Sequence, residues 1–93
     1  MRFEWDAEKA SVNFEKHKVT FGEAIEVFND PNAFEDYDAG HSTTETRFFI
    51  IGLSSRRLLF VVFAEEIHDE VRIISARKTT KAERELYETR IIR

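Results

Sequence analysis

"RFFIIGLSSRRLLFVVFAEEIHDEVRIISARKTTKAERELYETR", residues 47–90, holds three apolar runs separated by two short polar breaks and then changes period. RFFIIGL and LLFVVFA are apolar at consecutive positions, as strands are in the middle of a sheet covered on both faces. The break between them, Ser54 to Arg57, is short enough for an antiparallel hairpin, and EIHDE makes the next turn into VRIISA. The spacing then switches to a helical one in TTKAERELYETR, where Thr80 and Glu83 stand as in a capping box. Three consecutive strands feeding a C-terminal helix are predicted.

Upstream, AFEDYD alternates Phe34 and Tyr37 among acids and reads as an edge strand, followed by a loop from Gly40 to Thr46. TFGE repeats the capping-box spacing at Thr20 and Glu23, and Phe21, Ala24, Ile25 and Phe28 behind it fall at i, i+3, i+4, i+7. That helix ends at NDP, residues 29–31. Before it, Asp6 can cap a helix running to about Lys18, with Ala10, Phe14 and His17 recurring at helical spacing. RFEW is a short extended start. The order is β-α-α-β-β-β-β-α, an α+β fold with a mainly antiparallel four-stranded sheet. No repeat or Gly/Ser/Pro linker divides the chain, so residues 1–93 form one domain, as expected at a length that rarely holds two cores.

Composition excludes several classes. Hydrophobic content of 42% with nine Phe, three Gly and one Pro argues for a packed core rather than disorder. Without cysteine there is no disulfide, thiol nucleophile or Cys-based zinc site, which suits a reducing compartment. The longest apolar run, Leu58 to Ala64, is too short to span a bilayer, and MRFEWDAEK has no signal-peptide core. A cytoplasmic protein with no membrane partner is expected.

The formal net charge of -4 hides two opposed parts. Residues 72–93 carry seven basic and three acidic residues, whereas residues 1–71 carry seven basic and fifteen acidic ones. Such asymmetry points to a localised patch for an anion, although a wetted amphipathic helix would have the same composition. His17, His41 and His68 lack a tight metal-ligand spacing, and Asp36, Asp38 and His41 read as a solvated acidic loop rather than a metal cluster. There is no Gly-rich phosphate loop and no serine nucleophile elbow, and no cofactor or metal is expected.

Several separated words occur in an order that resembles the BrnT family of bacterial ribonuclease toxins from type II toxin–antitoxin systems. They are Trp5-Asp6, Lys9, Asn13, His17, the Phe21–Ala24 helix start, IGLS at 51–54, and the ending ISAR at 74–77 with Glu83, Arg84 and Tyr87. The resemblance covers nearly the whole chain. It implies a RelE-like fold, RNA cleavage that blocks translation, and a ribbon-helix-helix antitoxin that binds the toxin and represses the shared operon. Operator DNA would then be met only through the antitoxin. One departure is Lys18, where a glycine is expected, so the first helix should end without the usual left-handed cap.

RNA can be cut without a metal when the 2′-hydroxyl is aligned with the adjacent phosphorus, deprotonated, and the added charge and leaving oxygen are stabilised. That chemistry needs cations and proton-transfer groups. Arg77 ends a strand, Arg84 follows on the helix, and Tyr87 lies three residues beyond Arg84 and therefore beside it. An arginine fork suits two phosphate oxygens, and a tyrosine can stack on a base or protonate a leaving group. Histidine titrates near neutrality, which makes His17 the candidate for proton transfer, although a histidine at a helix end is commonly a structural hydrogen-bonder. Arg77, Arg84, His17 and Tyr87 are the catalytic candidates; Lys9, Lys78, Lys81 and Trp5 are the substrate-binding candidates. Trp5 is the only tryptophan and reads first as a core anchor and second as an RNA-stacking platform. Simple alternation places Arg72 on the strand face opposite Ser75 and Arg77, where an ion pair is its expected role. A non-catalytic nucleic-acid-binding or regulatory module, or a structural interaction protein, would use the same basic surface without producing cleaved RNA.

Overall fold

A computed structural model describes residues 1–40 and 45–92. The elements are β1 (Arg2–Glu4), α1 (Ala7–His17), α2 (Phe21–Ala24, continued as a 3-10 segment Ile25–Asn29), β2 (Phe34–Tyr37), β3 (Phe48–Leu53), β4 (Leu58–Glu66), β5 (Glu70–Lys78) and α3 (Lys81–Ile92). The sheet has five strands in the order β1-β5-β4-β3-β2, not four. The extended start RFEW joins the sheet edge as β1, pairing parallel to β5 from Arg2↔Glu70 to Glu4↔Arg72. The other pairings are antiparallel, and β2 is the opposite edge.

Each central strand has two covered faces, as its unbroken apolar run implies. On one face Leu59, Val61 and Phe63 of β4 meet Phe21, Ala24 and Val27 with Ile50, Val71, Ile73 and Ala76. On the other, Ile51 and Leu58 pack with Tyr87 of α3 and with Phe34, Phe49 and Phe60. At Gly52 an added Cβ would lie 3.1 Å from the Val27 Cβ and 3.2 Å from its carbonyl oxygen, so the 3-10 segment packs on β3 closely enough that a side chain there would have to push it back slightly.

The caps behave locally, with two departures. Thr80 and Glu83 form the full capping box of α3, each bonding to the other's backbone N–H. At α2 only half of the box forms: the Thr20 hydroxyl accepts from the Glu23 N–H, while the Glu23 carboxylate turns to Arg57 and Ser54. Lys18 does adopt the left-handed cap, at φ 58° and ψ 33°, and its N–H donates to the Phe14 carbonyl. The strain of placing a Cβ there is offset because Arg57 Nη2 donates to the Lys18 carbonyl at 2.9 Å.

Face assignments on α1 and β5 also differ from simple periodicity. The buried residue of α1 is Asn13, whereas Phe14 is 46% exposed. On β5, Ser75 lies opposite Val62 and Ile73 opposite Phe63, which leaves Ile74 unpaired as a β-bulge. The extra residue shifts the alternation by one. Arg72, opposite Ala64, and Arg77, opposite Phe60, therefore share one face with Ser75, and the expectation that Arg72 faces the other way is corrected.

Candidate functional site

β1 covers only the first part of the β5 edge, residues 70–72, before the chain turns at Asp6 into α1. The Asp6 side chain caps the new helix by accepting from the Glu8 and Lys9 N–H groups. α1 then runs beside the uncovered part of β5, and Asn13 takes the place of a pairing strand. Its Nδ2 donates to the Ala76 carbonyl at 2.9 Å and to the Val19 carbonyl at 3.0 Å, and its Oδ1 accepts from the Ala76 N–H at 3.1 Å. All three partners are backbone groups that would otherwise be buried and unpaired, which is why an amide stands at this apolar contact.

With Asn13 fixed, Lys9, Val12 and Lys16 follow at helical spacing on the same side of α1. They line a cleft of about 490 Å³ with Asp6, Glu8, His17, Ile74 and Ser75. Lys9 and His17, which the sequence suggests lie on much the same side of the first helix, do come together here. Asn13 and Ser75 enter the sequence reading of the site only through the family words and Lys16 not at all, although Lys9, Asn13 and Lys16 stand at i, i+4 and i+7. Among the described residues no carboxylate forms an ion pair with Lys9, Lys16 or His17. The cleft thus presents two ammonium groups and an imidazole that are not ion-paired, with the Asp6 and Glu8 carboxylates in the same lining, at the bulged edge of a strand.

The remaining candidates lie elsewhere. Arg77 does not offer its forked end to solvent: Nη1 and Nη2 each donate to Glu83 at 2.8 Å, Nη1 also donates to the Lys78 carbonyl, and the guanidinium carbon lies 4.2 Å from the Phe60 ring centre. Hydrogen bonding to Glu83 raises the Arg77 pKa further above its ordinary value. For Glu83 burial pushes the carboxyl upward, but Arg77 and the Thr80 N–H outweigh it and hold the pKa below the usual range.

Arg84 is exposed and shares a separate cleft of about 370 Å³ with Leu53, Arg57, Leu58, Tyr87 and Glu88. Tyr87 is 4% exposed, and its hydroxyl donates to Asp30 Oδ2 at 2.6 Å. Burial, with the Asp30 carboxylate accepting from it, pushes its pKa up to about 12. A ring packed on Ile51 and Leu58 and a hydroxyl held in this way anchor α3 to the sheet, in place of the expected stacking or proton donation to a substrate. Lys78 and Lys81 are exposed at the junction of β5 and α3. Trp5 packs edge-on to Phe21, with ring centres 6.0 Å apart, while remaining 39% exposed.

Arg72 is ion-paired, as expected of it, with Glu66 at 2.8 Å and with Glu45. His68 sits exposed in the turn before β5 with φ 63°. His41 of the acidic-loop cluster lies outside the described residues. Among the described residues no group of three or more His, Asp or Glu side chains is placed to hold a metal ion, and no helix is long and apolar enough to cross a membrane.

Residues 5–83 match the family described as the ribonuclease toxin BrnT of type II toxin–antitoxin systems. The chain belongs to the BrnT family. Its fold is similar to the crystal structure of the Brucella abortus ribonuclease toxin BrnT, with a TM-score of 0.66 and 22% sequence identity over 87% of this chain and 99% of that one. No curated protein matches the chain. The BrnT match includes every residue of the cleft between α1 and β5, and Arg77 and Glu83 besides; Arg84 and Tyr87 lie beyond it.

Proposed function

We propose that this BrnT-family ribonuclease toxin cuts RNA without a metal, by attack of a 2′-hydroxyl on the adjacent phosphate, and that the scissile phosphate sits in the cleft between α1 and β5. One observation carries the reading: Lys9, Lys16 and His17 line one cleft, and among the described residues none of them is ion-paired, although Asp6 and Glu8 line the cleft as well. Lys9 and Lys16 would balance the charge that grows on the phosphorane, and the Ser75 hydroxyl would donate to one of its oxygens. His17 would move the proton, either from the attacking hydroxyl or to the leaving 5′-oxygen. Arg84, Lys78 and Lys81, exposed on α3 and its approach, would raise the local concentration of the polyanion without touching the reacting atoms. In a cell this cleavage would block translation.

Purified protein incubated with RNA tests the reading. Cleavage in EDTA that leaves 2′,3′-cyclic phosphate or 3′-phosphate ends is expected, and His17→Ala should lower the single-turnover rate by about 10²–10⁴-fold. Strict dependence on added Mg²⁺, or 3′-hydroxyl ends, would count against it.

The antitoxin that a type II system supplies is, in this reading, a ribbon-helix-helix repressor. Its other segment, acidic and apolar, would lie over an exposed sheet edge and the basic C-terminal surface of β5 and α3. Hydrogen exchange in the complex should then slow on α3; protection confined to residues 35–45 would contradict this placement.

A further inference from the structure

Four flat groups line up across the sheet on the face that carries α3. Phe34 of β2 stacks on Phe49 of β3, with ring centres 6.1 Å apart and planes 24° apart. Phe49 stacks on Phe60 of β4 at 5.1 Å and 16°, and Phe60 lies under the Arg77 guanidinium at 4.2 Å. Strand pairing explains the row, because Phe34 and Phe60 both stand opposite Ile51, and Phe60 stands opposite Arg77. All four are partly exposed.

The last member of the row differs from an arginine poised for phosphate. Of its five N–H donors, three are taken by Glu83 and the Lys78 carbonyl. Glu83 is itself fixed by the Thr80 N–H and only 16% exposed, so it compensates the charge of Arg77 and locks the guanidinium plane. The guanidinium carbon lies over the Phe60 ring, and a third of the Arg77 side chain, 33%, remains exposed. Beyond it the sheet stops, because β1 reaches only to the level of Arg72. Ser75, two residues before Arg77 on the same face and roughly 7 Å along the strand, already lines the cleft of Lys9, Lys16 and His17.

We infer that the outer face of the Arg77 guanidinium is a stacking seat for a nucleobase of single-stranded RNA, placed to hold the nucleotide whose phosphate enters the cleft. Bases of single-stranded RNA stack on guanidinium planes as they do on aromatic rings. A locked, charge-compensated and partly exposed guanidinium seated over an aromatic ring favours that contact over one with a phosphate. The inference rests on the ribonuclease reading of the cleft. Selection at this seat follows stacking strength rather than base-edge hydrogen bonds, so it tolerates sequence and favours the larger bases.

Binding of a 2′-O-methyl oligoribonucleotide of about 12 nucleotides, which lacks the attacking hydroxyl, separates the two uses of Arg77 when measured across a salt series. Arg77→Ala should weaken binding about 5- to 150-fold, with no change in the slope of log K against log salt. Lys9→Ala should reduce the magnitude of that slope by about 0.7, the value for one lost phosphate contact to a single strand. Arg77→Lys keeps the charge and a partner for Glu83 but has no plane, and should bind as weakly as Arg77→Ala. Wild-type affinity in folded Arg77→Lys, or a slope reduced by about 0.7 in Arg77→Ala, would overturn the stacking seat while leaving the cleft reading intact. Failure of the unaltered protein both to bind this oligonucleotide and to cut RNA would overturn both.

Discussion

Arg57, Arg72 and Arg77 each end on a carboxylate, whereas Lys9, Lys16 and His17, gathered on one side of α1, form no ion pair among the described residues. The first group belongs to the scaffold. Arg57 joins Glu23, which is 8% exposed, to the Lys18 carbonyl and so ties the β3–β4 turn to the end of α1; Ser54 completes the ring. Arg72 ties β5 to Glu66 and Glu45, and Arg77 ties it to the start of α3. The second group sits on a helix held by Asn13 through backbone contacts that need no charge. Lys16 and His17 stand in the last turn of α1, where basic groups suit the helix dipole, but none of the three is held in an ion pair, which leaves their ends available to an anion. What separates the two regions is the ion pair itself: the arginines spend their hydrogen-bonding ends on carboxylates of the chain, Arg77 keeping only its plane for a base, whereas the ammonium ends on α1 stay open to a phosphate.

The comparison breaks first at Asn13. Asn13→Leu removes three hydrogen bonds worth about 1 kcal/mol each and leaves the Ala76 groups unpaired, so unfolding free energy should fall by roughly 3 kcal/mol in a denaturant titration. Cleavage should be lost with it, since the cleft depends on that contact. Next is Arg57→Met, which strands the Glu23 carboxylate. The cost for a fully buried pair is about 3–5 kcal/mol, and partial exposure of Arg57 should reduce it to about 2 kcal/mol.

The same pair sets a pH dependence. Hydrogen bonding from Arg57 holds the Glu23 carboxyl below its ordinary 4.5, despite the upward push of burial. The folded state thus binds that proton less readily than the unfolded chain. Its contribution is complete above the unfolded value and is lost as pH falls through the lower folded one. Thermal melts taken from about pH 6 down to about pH 3 should show a falling midpoint that is shallower in Glu23→Gln, and unchanged in shape when cleft lysines are removed.

Smaller effects sharpen the contrast. Tyr87→Phe loses one hydrogen bond to a carboxylate and should cost about 1.5 kcal/mol while leaving RNA cleavage intact, because α3 is anchored there rather than catalytic. Arg72→Ala breaks a partly exposed pair and should cost up to about 1 kcal/mol. Lys9→Ala and Lys16→Ala should each change stability by less than about 0.5 kcal/mol, since neither side chain is paired.

Local chemistry was legible in the sequence wherever the partner is close. The caps at Asp6, Thr20 and Thr80, the Ser54–Arg57 turn and the doubly apolar strands all follow from residues a few positions apart. Distant partners were not legible. β1 becomes a strand only because β5 offers an edge some seventy residues away, and Lys18 tolerates its left-handed cap because Arg57 reaches it from the hairpin. The bulge at Ile74 has no residue signature, yet it turns Arg72 to the face of Arg77. Of the candidate site, Lys9 and His17 were found through helical spacing and family resemblance. Arg77 was assigned a phosphate fork because nothing in the spelling shows that Glu83 occupies it.

Single-turnover RNA cleavage and thermal melting, measured together on a Lys9→Ala/Lys16→Ala variant and on Arg72→Ala, put the distinction between paired and unpaired cations to its most direct test. The double lysine variant should melt like the unaltered protein and cut RNA at least about tenfold more slowly, and Arg72→Ala should melt lower and cut at the normal rate. Normal cleavage by a folded Lys9→Ala/Lys16→Ala protein, with cleavage lost in Arg72→Ala, would place the scissile phosphate on the paired arginines and contradict the account.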